Sequence, residues 1–296
     1  MASLGLGAVQ FGLNYGVSNR VGKPAQADVA RMLATAAAGN ISVIDTAPEY
    51  GDSEAVIGSS LPARHTFRLV TKTRRVAAAS IGDAEVENIH RDLDASLARL
   101  GQSKIFGVLI HHVADLLKPS GERFVGALES LRASGRVSAI GVSAYDGNQI
   151  DAVLRRFRPD IVQLPLSALD QRLVRSGHVA KLASIGVAVH VRSVFLQGAL
   201  LMRPEELPAH LLGVRPYVEA FRKAGEFAGL SPLAAALSFA RNVGGVDTVL
   251  VGVTTTQELR QVLDAWDTAG PNSPKFDLPE PPPDEALIDP RRWRTA

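Results

Sequence analysis

The stretch SVIDTAPEYG (residues 42–51) carries a short apolar run that ends at Asp45 and is followed by Tyr50. Two later runs have the same form, since RLVTK ends at Lys72 and FGVLIHH reaches His111. Short apolar runs of this kind are typical of strands buried in a parallel sheet. The carboxyl ends of parallel strands meet at one edge, so we expect a carboxylate, a phenol, an ammonium and an imidazole to share one pocket.

Eight such runs alternate with segments of helical periodicity along the whole chain. This alternation predicts βα units and a parallel sheet, and eight units favour a closed (β/α)8 TIM barrel. A doubly wound open sheet is the alternative. The predicted strands are Gly5–Val9, Val43–Asp45, Leu69–Thr71, Ile105–Ile110, Ala139–Val142, Ile161–Leu164, Ala188–Val191 and Val249–Val251.

Helices are predicted between the strands from apolar residues spaced three or four apart. The segment 84–101 has this spacing and ends at a glycine, while TTQE at 255–258 has the form of a capping box that begins the last helix. Two helical segments, Val214–Ala228 and Pro232–Asn242, lie between the seventh and eighth predicted strands. We therefore expect one helix more than the regular barrel requires.

Composition sets limits on the function. With 296 residues, 46% of them hydrophobic, the chain can form one barrel domain over residues 1–296, with a proline-rich tail from about residue 274. The absence of cysteine excludes disulfides, zinc–thiolate sites and cysteine nucleophiles. A net charge of +2 from dispersed charges argues against nucleic acid or a membrane surface as partner. With no signal-peptide pattern and no long apolar run, we expect a cytoplasmic protein.

The four polar residues at the predicted strand ends form a plausible acid–base set. A free tyrosine has a pKa of about 10, and a nearby ammonium lowers it. Lys72 can supply that charge to Tyr50, while Asp45 orients Lys72. His111 can donate a hydrogen bond to a substrate oxygen or relay a proton to the phenol. Each residue alone has an ordinary structural explanation, such as a turn residue or a structural ion pair, and it is their convergence that predicts an active site.

A series of motifs extends along nearly the whole chain: DTAPEYGDSEAVIG, TK at 71–72, LIHH at 109–112, GVS at 141–143, VQLPLS at 162–167, RSVFLQGALL at 192–201 and VGVTTTQEL at 251–259. With these motifs the sequence resembles the aldo-keto reductase superfamily. The resemblance implies a (β/α)8 barrel and metal-free hydride transfer between NADP(H) or NAD(H) and a small carbonyl or alcohol substrate, by a monomer or small homo-oligomer.

The resemblance also implies roles for individual residues. Tyr50 matches the proton donor, Lys72 and Asp45 match the pair that tunes it, and His111 matches the histidine that orients the carbonyl. A helix that begins near residue 255 adds a physical reason for a phosphate site, because helix N-termini bind anions. The residues expected at the cofactor are Ser143 and Gln163 on the nicotinamide carboxamide, together with Arg192, Ser193, Leu196, Gly198, Gly252, Thr254, Thr256 and Gln261.

The sequence departs from the family pattern in three respects, at four positions. Ala144 stands where many members have Asn, and His112 where many have Trp. Gly252 and Glu258 stand where members that prefer NADPH often carry Lys and Arg. We therefore predict that NADH is accepted to a useful extent and that the substrate is a polar, sugar-like carbonyl compound.

Two other functions remain open from the sequence. One is a cofactor-binding sensor or scaffold of the same fold with little turnover, and the other is a lyase or aldolase that forms a Schiff base on Lys72. No metal site is expected, because the adjacent residues His111 and His112 should diverge and no carboxylate partner for them and His190 is obvious. Trp293 in the tail is interpreted as a packing anchor, with a cover over the barrel mouth as the alternative.

Overall fold

Eight parallel strands close into a barrel in sequence order, and the last strand pairs with the first. The computed structural model describes residues 1–62, 64–270, 273–274 and 276–293. The predicted (β/α)8 barrel is therefore confirmed, and the open sheet is excluded. The strands are β1 (Ser3–Gly7), β2 (Val43–Asp45), β3 (Arg68–Lys72), β4 (Ile105–Ile110), β5 (Val137–Ser143), β6 (Ile161–Pro165), β7 (Ala188–Arg192) and β8 (Thr248–Val251).

The first strand was predicted two residues too late. The chain leaves the sheet after Gly7, and Val9 already begins a short helix. The apolar run continues past the strand because Phe11, on that helix, is fully buried in the core. An apolar run alone cannot separate a strand end from a buried helical turn.

Helices cover the outside of the barrel, and two of them lie between β7 and β8 as predicted. Gly101 ends the helix Asp83–Leu100 in the left-handed conformation with φ 64°, which is the cap expected from the sequence. The helices are α1 (Val9–Gly12), α2 (Gln26–Ala38), α3 (Ser53–Ser60), α4 (Asp83–Leu100), α5 (Val113–Leu116), α6 (Glu122–Ala133), α7 (Gly147–Leu154), α8 (Arg172–Arg175), α9 (His178–Ser184), α10 (Arg215–Phe227), α11 (Pro232–Asn242) and α12 (Thr256–Thr268). None of the helices in the described part of the chain is long and apolar enough to cross a membrane.

The barrel interior is built in two layers. An apolar layer fills it, made of Val43, Val70, Leu109, Ala139, Ile161 and Leu250. Side chains alternate along a strand, so residues two positions further on belong to the same face. Four of the residues at these next positions are polar: Asp45, Lys72, His111 and Gln163. The strand pattern thus places a polar layer at the carboxyl ends of the strands, directly next to the apolar layer.

The proline-rich tail packs back onto the barrel through two short 3-10 turns, Glu285–Leu287 and Pro290–Arg292. Glu285 accepts a hydrogen bond of 2.9 Å from Arg172, and Ile288 is buried in the core. Trp293 is partly buried and packs against the main hydrophobic core. These contacts agree with the role of a packing anchor for Trp293.

Candidate active site

A buried ion pair lies at the centre of the polar layer. Lys72 Nζ donates to Asp45 Oδ1 at 2.6 Å and to the carbonyl oxygen of Thr46 at 2.9 Å. The second carboxylate oxygen of Asp45 accepts a 2.7 Å hydrogen bond from Gln163 Nε2. The side chain of Lys72 is fully shielded from solvent and that of Asp45 is 6% exposed. Both charges are therefore compensated by several polar contacts at once.

Tyr50 is held against this pair by two glycines. A side chain at Gly12 would place its Cβ 1.7 Å from the carbonyl oxygen of Tyr50, and one at Gly51, whose φ is 59°, would lie 2.4 Å from Gly12 O. Both positions therefore need glycine for the backbones to meet. Lys72 Nζ lies 4.9 Å from the centre of the Tyr50 ring, and the His111 ring meets it edge-on at 5.9 Å. The structure brings all four predicted residues together.

The pKa of Tyr50 differs from the expectation. Burial raises the pKa of this phenol above its ordinary value of 10.0, and the positive charge of Lys72 offsets that rise only in part. The expected lowering towards neutral pH was therefore wrong. A phenol with a raised pKa keeps its proton at neutral pH.

Lys72 remains charged despite its burial. Burial lowers the pKa of its ammonium, but the charge of Asp45, the nearby Tyr50 and the hydrogen bonds to both outweigh that effect and raise it. A lysine that forms a Schiff base has to be available as the neutral amine. The environment of Lys72 therefore disfavours the lyase or aldolase alternative.

His111 is a neutral imidazole over the ordinary pH range. Burial first, and then the charge of Lys72, lower its pKa from 6.5 to about 2. Within the described part of the chain, its buried Nδ1 atom has no hydrogen-bond partner. A neutral histidine can carry its proton on Nε2 and donate it to a ligand oxygen. This favours the role of a hydrogen-bond donor over that of a charged proton relay.

Gln163 and Ser143 provide a place for a carboxamide. Gln163 uses its Nε2 atom to hold Asp45, but its buried Oε1 atom lacks a hydrogen-bond partner among the residues described. A buried acceptor without a partner is costly unless a ligand supplies the donor. The neighbouring Ser143, which is paired with Gln163 in the strand register, is also buried. These residues fit the amide of a nicotinamide group.

Arg192, at the end of β7, lies at the mouth of the barrel. Its guanidinium is 4.2 Å from the centre of the Tyr145 ring, and Arg291 from the tail contacts the same ring at 3.6 Å. The charge of Arg192 also reaches Tyr50, whose pKa it lowers after the larger effects of burial, Lys72 and Asp45. Arg192 is therefore within reach of a ligand bound beside Tyr50.

The loop after β7 has an unusual backbone. Ser193, Leu196 and Gln197 adopt left-handed conformations with φ of 62°, 48° and 55°, which non-glycine residues rarely do. Such conformations cluster at ligand-binding sites. Leu196 is buried, so only its backbone can face a cofactor. A Cβ at Gly198 would lie 1.9 Å from Ser18 Oγ, so this glycine permits close packing of two loops rather than an open cradle.

The start of α12 differs in detail from the prediction. Thr255 caps the helix by accepting from the Glu258 backbone N–H, as the capping box requires. The Glu258 carboxylate, however, accepts from the backbone and the hydroxyl of Thr254, at 2.6 and 2.9 Å. The donors of Thr254 that were expected to bind a phosphate therefore already hold a carboxylate.

The other residues predicted near the phosphates are placed as follows. The space that a Cβ at Gly252 would need is filled by the Gln10 side chain, at 2.4 Å. Thr256 is half-buried at the first turn of α12, and Gln261 is exposed one turn later. Gly252, Thr256 and Gln261 thus lie around the first turns of α12. Of these three residues, Thr256 and Gln261 have side chains that are open to a ligand.

Sequence reasoning missed several residues at the mouth. Glu49, which lies between Asp45 and Tyr50 in sequence, has a carboxylate oxygen 3.2 Å from His111 Nδ1 and 3.0 Å from His112 Nε2. Its position inside the DTAPEYG segment was the available signal. The contacts of Tyr145 with two arginines come from distant parts of the chain and left no local pattern.

The family is established by comparison with known proteins. Residues 3–272 match the model of the aldo/keto reductase family, and the chain belongs to that family. It is 30% identical to the NADH-specific methylglyoxal reductase of Escherichia coli (strain K12) over 178 residues, 54% of each protein. It is 32% identical to the 6-dehydroglucose reductase of Agrobacterium fabrum over 148 residues, 45% of each. The chain thus spans about half the length of the curated relatives it matches.

Solved structures share the fold at lower identity. The aldo-keto reductase AKR11C1 from Bacillus halodurans, in its holo form, has a TM-score of 0.72 and 22% identity, with 88% of this chain and 85% of that chain covered. The glycerol dehydrogenase AKR11B4 from Gluconobacter oxydans has a TM-score of 0.66 and 20% identity, with 93% and 94% covered. These similarities support the barrel fold.

The protonation state of His111 can be measured directly by NMR. Because burial holds its pKa near 2, we expect the ring signals of His111 to stay at their neutral positions from pH 8 down to about pH 4. A histidine in a short peptide titrates at about 6.5 and serves as the reference. The signals are assigned by their loss in His111→Gln. A titration of His111 between pH 5 and 7 would contradict this account.

Proposed function

We propose that this protein is an NADH-dependent oxidoreductase that reduces the carbonyl group of a small aldehyde or ketone to an alcohol, or runs the reverse reaction. The observation that carries the proposal is the convergence of Tyr50, Lys72 and His111 at the open end of the barrel. A neutral phenol and a neutral imidazole there can both donate hydrogen bonds to one carbonyl oxygen. When bound, the reduced nicotinamide supplies the hydride for the carbonyl carbon.

The protein contributes the proton and the electrostatic environment. Tyr50 donates its proton to the carbonyl oxygen as that oxygen becomes negative, and Lys72 then stabilises the phenolate that is left. Asp45 keeps Lys72 in place and charged. His111 orients the carbonyl through its Nε2 proton. The side chains of Lys72 and Asp45 are shielded from water, so their charges act more strongly than they would in solution.

The proposed cofactor preference is based on Glu258. Its carboxylate lies at the N-terminus of α12, where NADPH-preferring members often carry Lys or Arg, and a negative charge there would disfavour the additional 2′-phosphate of NADPH. The unpartnered Gln163 Oε1 atom supports binding of the nicotinamide end by either cofactor. The relative from Escherichia coli is named as NADH-specific, which supports the same preference. We therefore propose NADH as the better cofactor.

A polar substrate fits the rim of the pocket. Glu49, His112 and Arg192 provide charged or polar side chains around the mouth. The two curated relatives are named for methylglyoxal and for a dehydroglucose, which are both oxygen-rich carbonyl compounds. We propose a small carbonyl compound with further oxygen atoms as the substrate class. A sensor of low activity would not need a charged lysine buried beside Tyr50, so this pair favours the enzyme.

The variant Tyr50→Phe tests the proton donor. With methylglyoxal as probe substrate, we expect kcat to fall by about 10²–10⁴, the usual contribution of a general acid. NADH binding, measured by fluorescence quenching, should change by less than about 0.5 kcal/mol, since the ring itself is kept. Tyr217→Phe, on α10 and outside the site, is the matched control. Turnover retained in Tyr50→Phe would refute Tyr50 as the acid.

The variant Glu258→Gln tests the cofactor preference. The change removes a negative charge near the proposed 2′-phosphate, so the ratio of kcat/KM for NADPH to that for NADH should rise about tenfold, equal to 1.4 kcal/mol. Glu226→Gln, an exposed position on α10, is the control and should leave the ratio unchanged. A wild-type preference for NADPH above about a hundredfold, or nearly 3 kcal/mol, would contradict the proposal.

A further inference from the structure

Two adjacent histidines and one glutamate form a compact group at the mouth of the barrel. Glu49 Oε2 lies 3.2 Å from His111 Nδ1 and 3.0 Å from His112 Nε2. One ligand atom from each of these residues lies within 4.8 Å of the other two. The two imidazole rings are tilted by 30° with centres 4.7 Å apart, so they do not diverge as adjacent strand residues would. His190, by contrast, is buried within the barrel on β7 and is not part of this group.

The convergence of the histidines has a cause in the backbone. His111 is the first residue after β4, and His112 precedes α5 in an extended conformation with φ −119° and ψ 102°. The strict alternation of side chains holds only while the chain remains in the strand. Here the chain turns between the strand and the helix, and both rings reach the same carboxylate.

The Glu49 carboxylate is held in place by a backbone hydrogen bond. Glu49 Oε1 accepts a 3.0 Å hydrogen bond from the backbone N–H of Arg75, on the loop after β3. Oε1 also lies 3.3 Å from His112 Nε2, and Oε2 is the oxygen nearest to both rings. Hydrogen bonds that orient a ligating carboxylate are a regular feature of metal sites, where they strengthen binding.

The Nδ1 atom of His111 is available to coordinate a ligand. Its Nδ1 atom is buried and close to Glu49 Oε2, yet it makes no hydrogen bond to that oxygen or to any other described atom. The ring nitrogen therefore points beside the carboxylate oxygen rather than at it. His112 Nε2, in contrast, is in hydrogen-bond contact with Glu49. The unpaired Nδ1 atom of His111, the Glu49 carboxylate and the His112 imidazole together offer lone pairs that can coordinate a metal ion.

The donor set identifies the class of ion. Two imidazoles and a carboxylate suit Zn²⁺ and related transition metals, whereas Mg²⁺ and Ca²⁺ prefer oxygen ligands alone. Zinc bonds of about 2.0–2.1 Å put tetrahedral ligand atoms about 3.4 Å apart. This is close to the 3.2 and 3.0 Å that separate Glu49 Oε2 from His111 Nδ1 and His112 Nε2. Glu49 and His112 are each about one third exposed, which leaves a route for the ion and room for a water ligand.

We propose that Glu49, His111 and His112 form a binding site for one Zn²⁺ ion, with solvent in the fourth position. The ion would replace the short contacts between the carboxylate and the two rings. The proposal concerns binding alone and stands whether or not the protein reduces carbonyl compounds.

The experiment is a zinc titration of the full chain, stripped with EDTA and dialysed, against a competing chromophoric chelator without cofactor or carbonyl substrate. We expect uptake of one Zn²⁺ per chain at pH 7.5. His112→Ala and Glu49→Gln should each weaken binding by at least about tenfold, because loss of an outer hydrogen-bond partner alone costs that much. His210→Ala, an exposed histidine elsewhere, should bind like the wild type, and excess Mg²⁺ should not compete.

Circular dichroism and thermal melting of each variant show that it is folded, so weaker binding can be assigned to the lost ligand. No uptake of zinc by the wild-type protein would overturn the proposal. So would equal affinity in the wild type, His112→Ala and Glu49→Gln, since the ion would then bind elsewhere. Failure of carbonyl reduction with normal zinc uptake would refute the proposed function and leave this inference intact.

Discussion

The ion pair between Lys72 and Asp45 is the interaction on which the rest of this site depends. These two charges lie next to the apolar layer inside the barrel, where an unpaired charge would cost several kcal/mol. They are tolerated because Asp45 is held by Lys72 and Gln163, and Lys72 also donates to the Thr46 backbone. The three strands that supply these side chains are thereby tied together at their carboxyl ends.

The same pair determines the electrostatics of the pocket. It keeps one positive charge beside Tyr50 and His111 without exposing it to water. Tyr50 and His111 are both neutral before reaction, because burial raises the pKa of the phenol and lowers that of the imidazole. In the proposed reaction, Lys72 therefore acts mainly on the phenolate that forms when Tyr50 gives up its proton. Charges that are fixed in advance of reaction are an efficient way to stabilise a transition state.

The sequence predicted the elements that depend on local pattern. The strand periodicity located Asp45 and Lys72 at strand ends, and their convergence followed from the parallel barrel. The periodicity could not predict that Gln163 turns one end of its amide to Asp45. Nor could it predict that the Glu258 carboxylate accepts from Thr254 rather than from the backbone N–H of Thr255. These choices depend on side-chain contacts made only in the folded chain. The position of Glu49 between two histidines was missed because strand alternation stops where the chain turns after β4.

The most direct test of this account is a double-mutant cycle on the ion pair, measured as the free energy of unfolding in urea. Lys72→Met and Asp45→Asn each remove one partner, and we expect each to destabilise the protein by about 3–5 kcal/mol. The double variant leaves no unpaired buried charge, so it should lose clearly less than the sum of the two, by more than about 1 kcal/mol. Losses that add within about 0.5 kcal/mol would contradict the claim that the pair acts as a unit.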